Sequence, residues 1–446
     1  MNLDPSGIRS RLETVRERTL SLVAPLDWPV LRKQHIPILS PMVWDLGHIG
    51  QFEEMWLLGE LTGAEPLTRG YAEMFDPATN PRPTRDALAL PERPVLFDYL
   101  GRVRERVLGD LNGAGARSGG GAAADPARRE RLLAGGFAHE LVAEHEEQHQ
   151  ETILQALQTC ADPPYRPALR RPAPPGRAVD APGVSEGMVR IPAGPFRMGT
   201  DRPGFAYDNE RRAHEVDLPD YWIDAVPVTN RDYLAFLEAG GYREPRFWTE
   251  AGWAWREETA AEAPLYWRRD GGRWLRRRFA DEREPPPREP VMHVSYWEAD
   301  AYARWAGKRL PTEAEWEKAA LWDPAAGRQR LHPWGDEPPT PERANVDQLA
   351  FGPAEAGAYP AGVSAYGVHG MVGDAWEWTS SEFAAYPGFE AFPYREYSEV
   401  FFGPEYKVLR GGSWATRPAV ARGTVRNWDY PIRRQIFTGI RCARDG

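Results

Sequence analysis

The sequence predicts two unlike regions joined by a linker. Residues 1–165 read as an α-helical bundle, 166–186 as a Pro-rich linker, and 187–446 as a region of short strands, turns and a few helices. Three observations carry this division. Apolar residues recur at helical spacing through the first region. One of its helical stretches contains His145-Glu-Glu-Gln-His149. From Gly187 onward the chain turns to short apolar runs broken by Gly and Pro, and most of the 18 Trp occur there.

The first helix begins near Asp4-Pro5-Ser6 and presents Ile8, Leu12, Val15, Leu20 and Leu22 as its apolar face. A second runs from Ser40 through Pro41-Met-Val-Trp-Asp-Leu-Gly-His48 to about Leu58, a third starts at Pro94, and a fourth starts at Arg128 and carries His145 and His149. The Gly/Ala-rich stretch 112–127 reads as a flexible connection between the last two. Four such helices form a bundle, a scaffold that commonly holds metals between facing helices. The Pro-rich linker is expected to wrap along the domain that follows it. In the second region one helix follows Thr229-Asn230 and another covers 297–305. A third opens at Pro311-Thr312-Glu313-Ala-Glu315, where Thr312 and Glu315 make a capping box. Most of the Trp are expected to pack the core.

At 446 residues the chain is long enough for two or three domains with substantial cores, and 42% hydrophobic residues fit a globular protein. A net charge of −10 and a pI near 5.6 argue against nucleic acid or an anionic membrane as the main partner. No apolar run approaches membrane-spanning length, and the N-terminus lacks the apolar core of a signal peptide. Cys160 and Cys442 cannot build a disulfide framework, which fits the reducing cytoplasm expected here, though the two can still meet in space. No obligate protein partner is evident.

Two imidazoles four residues apart on a helix lie only about 40° apart around its axis, so His145 and His149 can reach one metal ion. The string also fits the H-E-x-x-H pattern of zinc proteases. That chemistry needs a third ligand downstream. The metzincin form places a His about six residues on, where Gln155 stands, and the gluzincin form a Glu about twenty residues or more on. Residues 161–182 contain neither His nor Glu, so the protease reading is weak. Upstream, His48 lies on another helical stretch and is the favoured third ligand. His35 and His139 are rivals that spacing alone does not eliminate.

Several longer motifs are recognisable together. Arg309-Leu-Pro-Thr-Glu-Ala-Glu-Trp-Glu317, Gly370-Met-Val-Gly-Asp-Ala-Trp-Glu-Trp378, Leu409-Arg-Gly-Gly-Ser-Trp414 and Gly439-Ile-Arg441 resemble the signatures of the formylglycine-generating-enzyme-like, sulfatase-modifying-factor fold. The helical half, with Trp44-Asp-Leu-Gly-His48 and His145-Glu-Glu-Gln-His149, resembles the DinB-type four-helix bundle. The combination resembles the ergothioneine-biosynthesis sulfoxide synthase family over nearly the whole chain. That resemblance implies an α + (α+β) fold class, with a compact C-type-lectin-like α+β domain after the bundle. It also implies that His48, His145 and His149 bind one Fe(II), which decides the contest with His35 and His139. Formylglycine-generating enzymes themselves use a pair of cysteines late in the domain; only Cys442 lies there, so that activity is not expected.

The family further implies O₂ as co-substrate and hercynine and γ-glutamylcysteine as substrates. Their reaction joins the cysteine sulfur to the carbon between the imidazole nitrogens and oxidises that sulfur to a sulfoxide. Gln148 is implied against the hercynine imidazole, and Asn427 and Trp428 around its trimethylammonium and carboxylate, where an aromatic face attracts the cation. Tyr394, with Tyr397 nearby, is implied as donor of a proton or hydrogen atom, Tyr386 being the alternative. Asp429 and Arg433 resemble the pair that grips the γ-glutamyl head, and Arg82 and Arg85 the arginines that hold its remaining carboxylate.

Other readings remain open at this point. Within the enzyme class these are a synthase using cysteine on the ovothiol route or a selenosugar donor on the selenoneine route. From other classes come a DinB-type thiol transferase and a non-catalytic lectin-like binding module. Asn345, Asp347 and Glu377 are the type of oxygen ligand that a structural calcium in the second region would use.

Overall fold

The computed structural model describes residues 4–111, 125–162, 165–176, 184–185 and 187–446. Most of the expected flexible connection, 112–124, and parts of the linker, 177–183 and 186, lie outside the described residues. The chain forms two compact units, Met1–Pro163 with Arg202–Phe205, and Pro164–Asp201 with Ala206–Gly446.

The first unit is built on four long helices, α1 (Pro5–Val23), α2 (Met42–Glu53), α3 (Arg93–Leu111) and α4 (Phe137–Thr159). Asp4 caps α1 by accepting from the Gly7 amide at 2.8 Å, and Ile8, Leu12, Val15 and Leu22 enter the core. The helix expected from Arg128 is two helices. Gly135 and Gly136 adopt φ of 62° and 77°, a left-handed break that ends Pro126–Leu133 and lets α4 start afresh. The second predicted helix also changes character, passing after Glu53 into a π-helical stretch, Glu54–Glu60.

The interior of this bundle is charged as well as apolar. Arg16 of α1 pairs with Glu53 of α2 at 2.7 Å and with Glu146 of α4 at 2.8 Å. Arg104 of α3 reaches the same two carboxylates, at 2.6 and 3.3 Å. All four side chains are buried, so each charge needs its partners, and the network fixes the rotation of each helix against the others.

In the second unit, strands β1 (Met188–Ile191) and β9 (Ala443–Asp445) both pair antiparallel with β4 (Tyr221–Asp224), so the first and last parts of the domain close on one strand. A hairpin of β2 (Gly194–Met198) and β3 (His214–Leu218) lies between them in sequence. A second sheet has the order β7 (Asn427–Asp429), β6 (Gly403–Arg410), β5 (Trp376–Phe383), β8 (Thr438–Gly439), with only the last pair parallel. Helices α5 (Asn230–Glu238), α6 (Tyr296–Trp305) and α7 (Glu313–Leu321) start where the sequence places them, and the Thr312–Glu315 capping box closes with contacts of 2.7 and 3.2 Å. This mixture of short strands and helices is the expected α+β class.

The recognisable motifs form the skeleton of this unit. Arg410 bonds Glu313 and Glu317 at 2.7 and 2.6 Å, Arg441 bonds Glu377 at 2.8 Å, and Arg426 bonds Glu313 at 2.7 Å. Trp316, Trp378 and Trp414 are fully buried around them. The linker residues that are described run along this unit: Arg170 and Arg171 donate backbone amides to Leu349, and Gly176 donates to Glu355. Cys160 and Cys442 are separate, buried free thiols. Among the described residues, no helix is long and apolar enough to cross a membrane.

Candidate metal centre

His48 projects from α2, and His145 and His149 from α4. Among the described residues these are the His, Cys, Asp and Glu side chains that converge as a possible metal site, one ligand atom from each lying within 4.8 Å of the others. The Nε2 atoms of His48 and His145 approach to 3.2 Å. The three ring centroids are 4.9, 4.9 and 4.7 Å apart.

Each ring is oriented by its surroundings. His48 donates Nδ1–H to the Phe75 carbonyl at 2.7 Å, which fixes the tautomer and leaves Nε2 as a lone-pair donor. His149 Nδ1 lies 3.2 Å from Asp45 Oδ1, the carboxylate–histidine arrangement that raises a ligand's basicity. His145 stacks on Phe52 at 3.7 Å, and His48 on Trp44 at 4.9 Å. A side chain at Gly47 would strike the Phe75 ring, its Cβ lying 2.2 Å from it, so glycine here admits the residue whose carbonyl holds His48.

Electrostatics favour neutral imidazoles. Burial first, then the charge of His149, holds His48 well below its ordinary pKa, the Phe75 hydrogen bond opposing them. Burial, then His149 and His48, do the same to His145. Neutral imidazoles are the ligating form, and this donor set of three nitrogens fits a divalent transition metal.

Glu146 decides against the protease alternative. Its carboxylate accepts from Arg16 at 2.8 Å and Thr19 at 2.7 Å, within the buried network that includes Arg104. Burial acts to raise its pKa, but Arg16 and Arg104 outweigh it and keep Glu146 below the ordinary carboxylate range. A fully ion-paired carboxylate cannot serve as the general base that an H-E-x-x-H protease requires. The rival histidines lie elsewhere. His35 Nε2 is bonded to the Val30 carbonyl at 3.0 Å, and His139 is buried outside the converging group.

Around the triad, Gln148 is half-buried on α4. Arg85 is buried, packs 3.3 Å above the Trp44 ring, and donates to Asn80 O at 2.8 Å and Ser40 Oγ at 2.5 Å. Desolvation lowers its pKa to about 10, with Asp45 acting in the opposite sense. Arg82, on the same 3₁₀ turn Arg82–Ala87, is exposed.

The remaining expected site residues gather in the second unit. Tyr394 and Tyr397 are half-buried with ring centroids 6.1 Å apart, and Tyr397 meets Trp428 edge-on at 5.9 Å. One face of Trp428 is covered by Phe383 at 4.1 Å. Arg433 pairs with Asp429 at 3.1 Å, and Asn427 accepts from the Trp428 amide at 2.9 Å. Burial, then the charges of Asp208 and Glu396, hold the Tyr394 phenol well above its ordinary pKa, so it keeps its proton. Tyr386 is a core residue, with its hydroxyl 3.3 Å from Glu313 and its ring under Arg426 at 4.0 Å.

Each of the oxygen ligands suggested for calcium has a protein partner. Asp347 is taken by Arg417 and, at 3.0 Å, Arg170; Glu377 is taken by Arg441 and the Trp316 indole; Asn345 bonds Asp374 at 2.7 Å. Both carboxylates are paired with arginines. Sequence reasoning also missed Asp45 and Phe75. Asp45, three residues before His48 and so on the same helix face, carried a legible signal. The Phe75 contact is a backbone carbonyl and carried none.

Family models match both units: "Sulfatase-modifying factor enzyme 1-like domain" over residues 177–446 and "DinB superfamily" over 11–153. The chain is 46% identical to a hercynine oxygenase of Mycolicibacterium thermoresistibile, covering 98% of this chain and 94% of that one. It is 45% identical to a hercynine oxygenase of Mycolicibacterium smegmatis, covering 98% of each. A formylglycine-generating enzyme of Thermomonospora curvata is 33% identical, over 59% of this chain and 94% of its own length.

Proposed function

The chain belongs to the hercynine oxygenase family, and from that premise we propose that it is a non-haem Fe(II) sulfoxide synthase acting on hercynine and γ-glutamylcysteine. The observation that carries the reading is the convergence of three imidazoles, two of them held neutral by burial, in an oxygenase of this family. His48, His145 and His149 would hold the metal. When bound, Fe(II) supplies one-electron chemistry toward O₂, with coordination positions left open by three protein ligands. The balance is thiol plus imidazole C–H plus O₂ giving a C–S bond, a sulfoxide and water. Forming the bond and oxidising the sulfur each remove two electrons, together the four that O₂ accepts, so no other reductant is needed.

The protein residues bind, orient and move protons. The Gln148 amide hydrogen-bonds the hercynine imidazole. Asn427 and the ring of Trp428 enclose its carboxylate and trimethylammonium group. Asp429 accepts from the ammonium of the γ-glutamyl head and Arg433 donates to its carboxylate, while Arg82 and Arg85 favour a donor with one more carboxylate. Tyr394, protonated across the working pH range, delivers a proton or hydrogen atom, with Tyr397 beside it.

The test is a mass-spectrometric assay of Fe(II)-loaded protein in air with hercynine and equal γ-glutamylcysteine and cysteine. A sulfoxide adduct retaining the γ-glutamyl group is expected. A cysteine-only adduct would overturn the donor assignment and leave the iron chemistry. No adduct from iron-loaded protein would overturn the reaction and favour a selenosugar donor, a histidine acceptor or a thiol transferase.

A further inference from the structure

The loop carrying Tyr394 and Tyr397 is gripped by a turn distant in sequence, Asp208–Glu210 with the preceding Tyr207. Asp208 is buried, and its carboxylate holds that loop at two points. Oδ2 accepts from the Phe392 amide at 3.2 Å, and Oδ1 accepts from the Ser398 hydroxyl. The two contacts bracket Tyr394 on either side. Asn209 reinforces the second by donating Nδ2–H to Ser398 Oγ at 3.0 Å, and the Tyr207 ring stacks on Tyr397 at 4.4 Å. The turn is itself anchored: Glu210 is held by Arg422 at 3.0 Å and Thr424 at 2.5 Å, and Arg426 donates to the Asn209 carbonyl at 2.9 Å.

We infer that Asp208 is a positioning residue for Tyr394, setting the loop that presents the phenol; this rests on the assignment of Tyr394 as proton donor. A carboxylate that grips the loop through the neutral donors Phe392 N–H and Ser398 O–H brings a negative charge to the loop that carries the phenol. Burial is the main reason that Asp208 is pushed up to about 6; Glu210 adds to the effect, and the Ser398, Phe392 and Asn209 donors oppose it. Asp208 is in turn the largest cause, after burial, of the raised pKa of Tyr394. Among the described residues, the charged and titratable groups that act on Asp208 or on the phenol with it include Glu210, with Arg422 behind it, Tyr394 and Glu396. The working form of the clamp is the carboxylate, present above about pH 6.

The experiment places 3-fluorotyrosine at position 394 and follows its ¹⁹F resonance against pH in the full chain, which reads the loop without turnover. Asp208→Asn removes the charge and one acceptor, and Asp208→Glu keeps the charge on a longer arm. In Asp208→Asn the resonance is expected to move and the phenol to ionise at lower pH, with Asp208→Glu restoring the ionisation toward that of the parent. In the sulfoxide assay kcat should fall roughly tenfold to a hundredfold at unchanged KM, as for a misplaced catalytic group. The acid limb near pH 6 should vanish with the carboxylate. An unchanged resonance and ionisation in Asp208→Asn overturns the proposal, whether or not sulfoxide is made. If Asp208→Asn does not fold, Asp208→Glu carries the test, because its longer arm must still displace the resonance. A parent chain without sulfoxide activity but with a mobile resonance refutes the reaction and leaves the clamp standing.

Discussion

Both units bury arginine–glutamate networks, but the networks do different work. In the bundle, Arg16 and Arg104 share Glu53 and Glu146, and all four sit on regular helices whose direction is set by internal hydrogen bonds. The charges there only lock helix rotation, and with it the faces that carry His48, His145 and His149. In the second unit, Arg410, Arg426 and Arg441 fasten α7 and the ends of short strands to one another. There the ion pairs substitute for regular structure and decide where loops go. A site on helices therefore inherits its geometry from local spacing. A site on loops inherits it from partners far along the chain, as Asp208 and Ser398 show at a separation of 190 residues.

The largest expected effect falls on the triad. His145→Ala should abolish the Co(II) absorption spectrum of the metal-loaded chain and lower oxygenase activity by roughly 10³-fold or more, since two ligands leave the site open. Its far-UV circular dichroism should stay that of the parent. A variant that still binds Co(II) with the parent spectrum would remove His145 from the ligand set and break the contrast at its root.

The networks come next. Glu146→Gln leaves Arg16 and Arg104 with one buried carboxylate, and Arg410→Met leaves Glu313 and Glu317 short of a cation. Each should cost about 3–5 kcal/mol. In urea unfolding, the first should lower the transition reported by helical ellipticity and the second the transition reported by Trp fluorescence. If both variants weaken a single common transition equally, the two networks do not serve separate units.

Asp45→Asn should act more gently, lowering metal affinity about 10–100-fold through His149 while leaving the fold intact. Competition with a chelator measures it. The same centre predicts acid sensitivity. His48 and His145 have pKa values lowered from 6.5 in the folded state, so the stability they contribute is present above pH 6.5 and is lost as pH falls below it. Urea titrations of the metal-free chain should show a declining midpoint below that pH, and a midpoint that rises instead would refute the assignment of buried neutral imidazoles. The smallest change is Thr312→Ala. Losing the α7 cap should cost about 1 kcal/mol, read in the second-unit transition alone.

Much of the metal centre was legible in the sequence because helical periodicity converts spacing into direction. His145 and His149 follow from four-residue spacing, and Asp45 lay on the same face as His48. The carbonyl of Phe75 was not legible, since backbone acceptors have no residue signature and Gly47 only permits its approach. In the second region, helix starts were readable from caps such as Thr312 with Glu315. The arginine partners of Asp347 and Glu377 were not legible, because an acidic side chain looks the same in sequence whether it faces a cation or a buried arginine. The break at Gly135 and Gly136 was missed for a related reason: the flanking apolar periodicity continues across it.

By itself the sequence determined the two regions, the bundle, the starts of several helices and the pair of histidines, all products of short-range stereochemistry. Tertiary structure alone decided that Glu146 faces arginines, that Asp347 and Glu377 neutralise them too, and that Asp208 grips the tyrosine loop. These outcomes depend on the desolvation of buried charge, which is settled only by which groups distant in sequence the fold brings together.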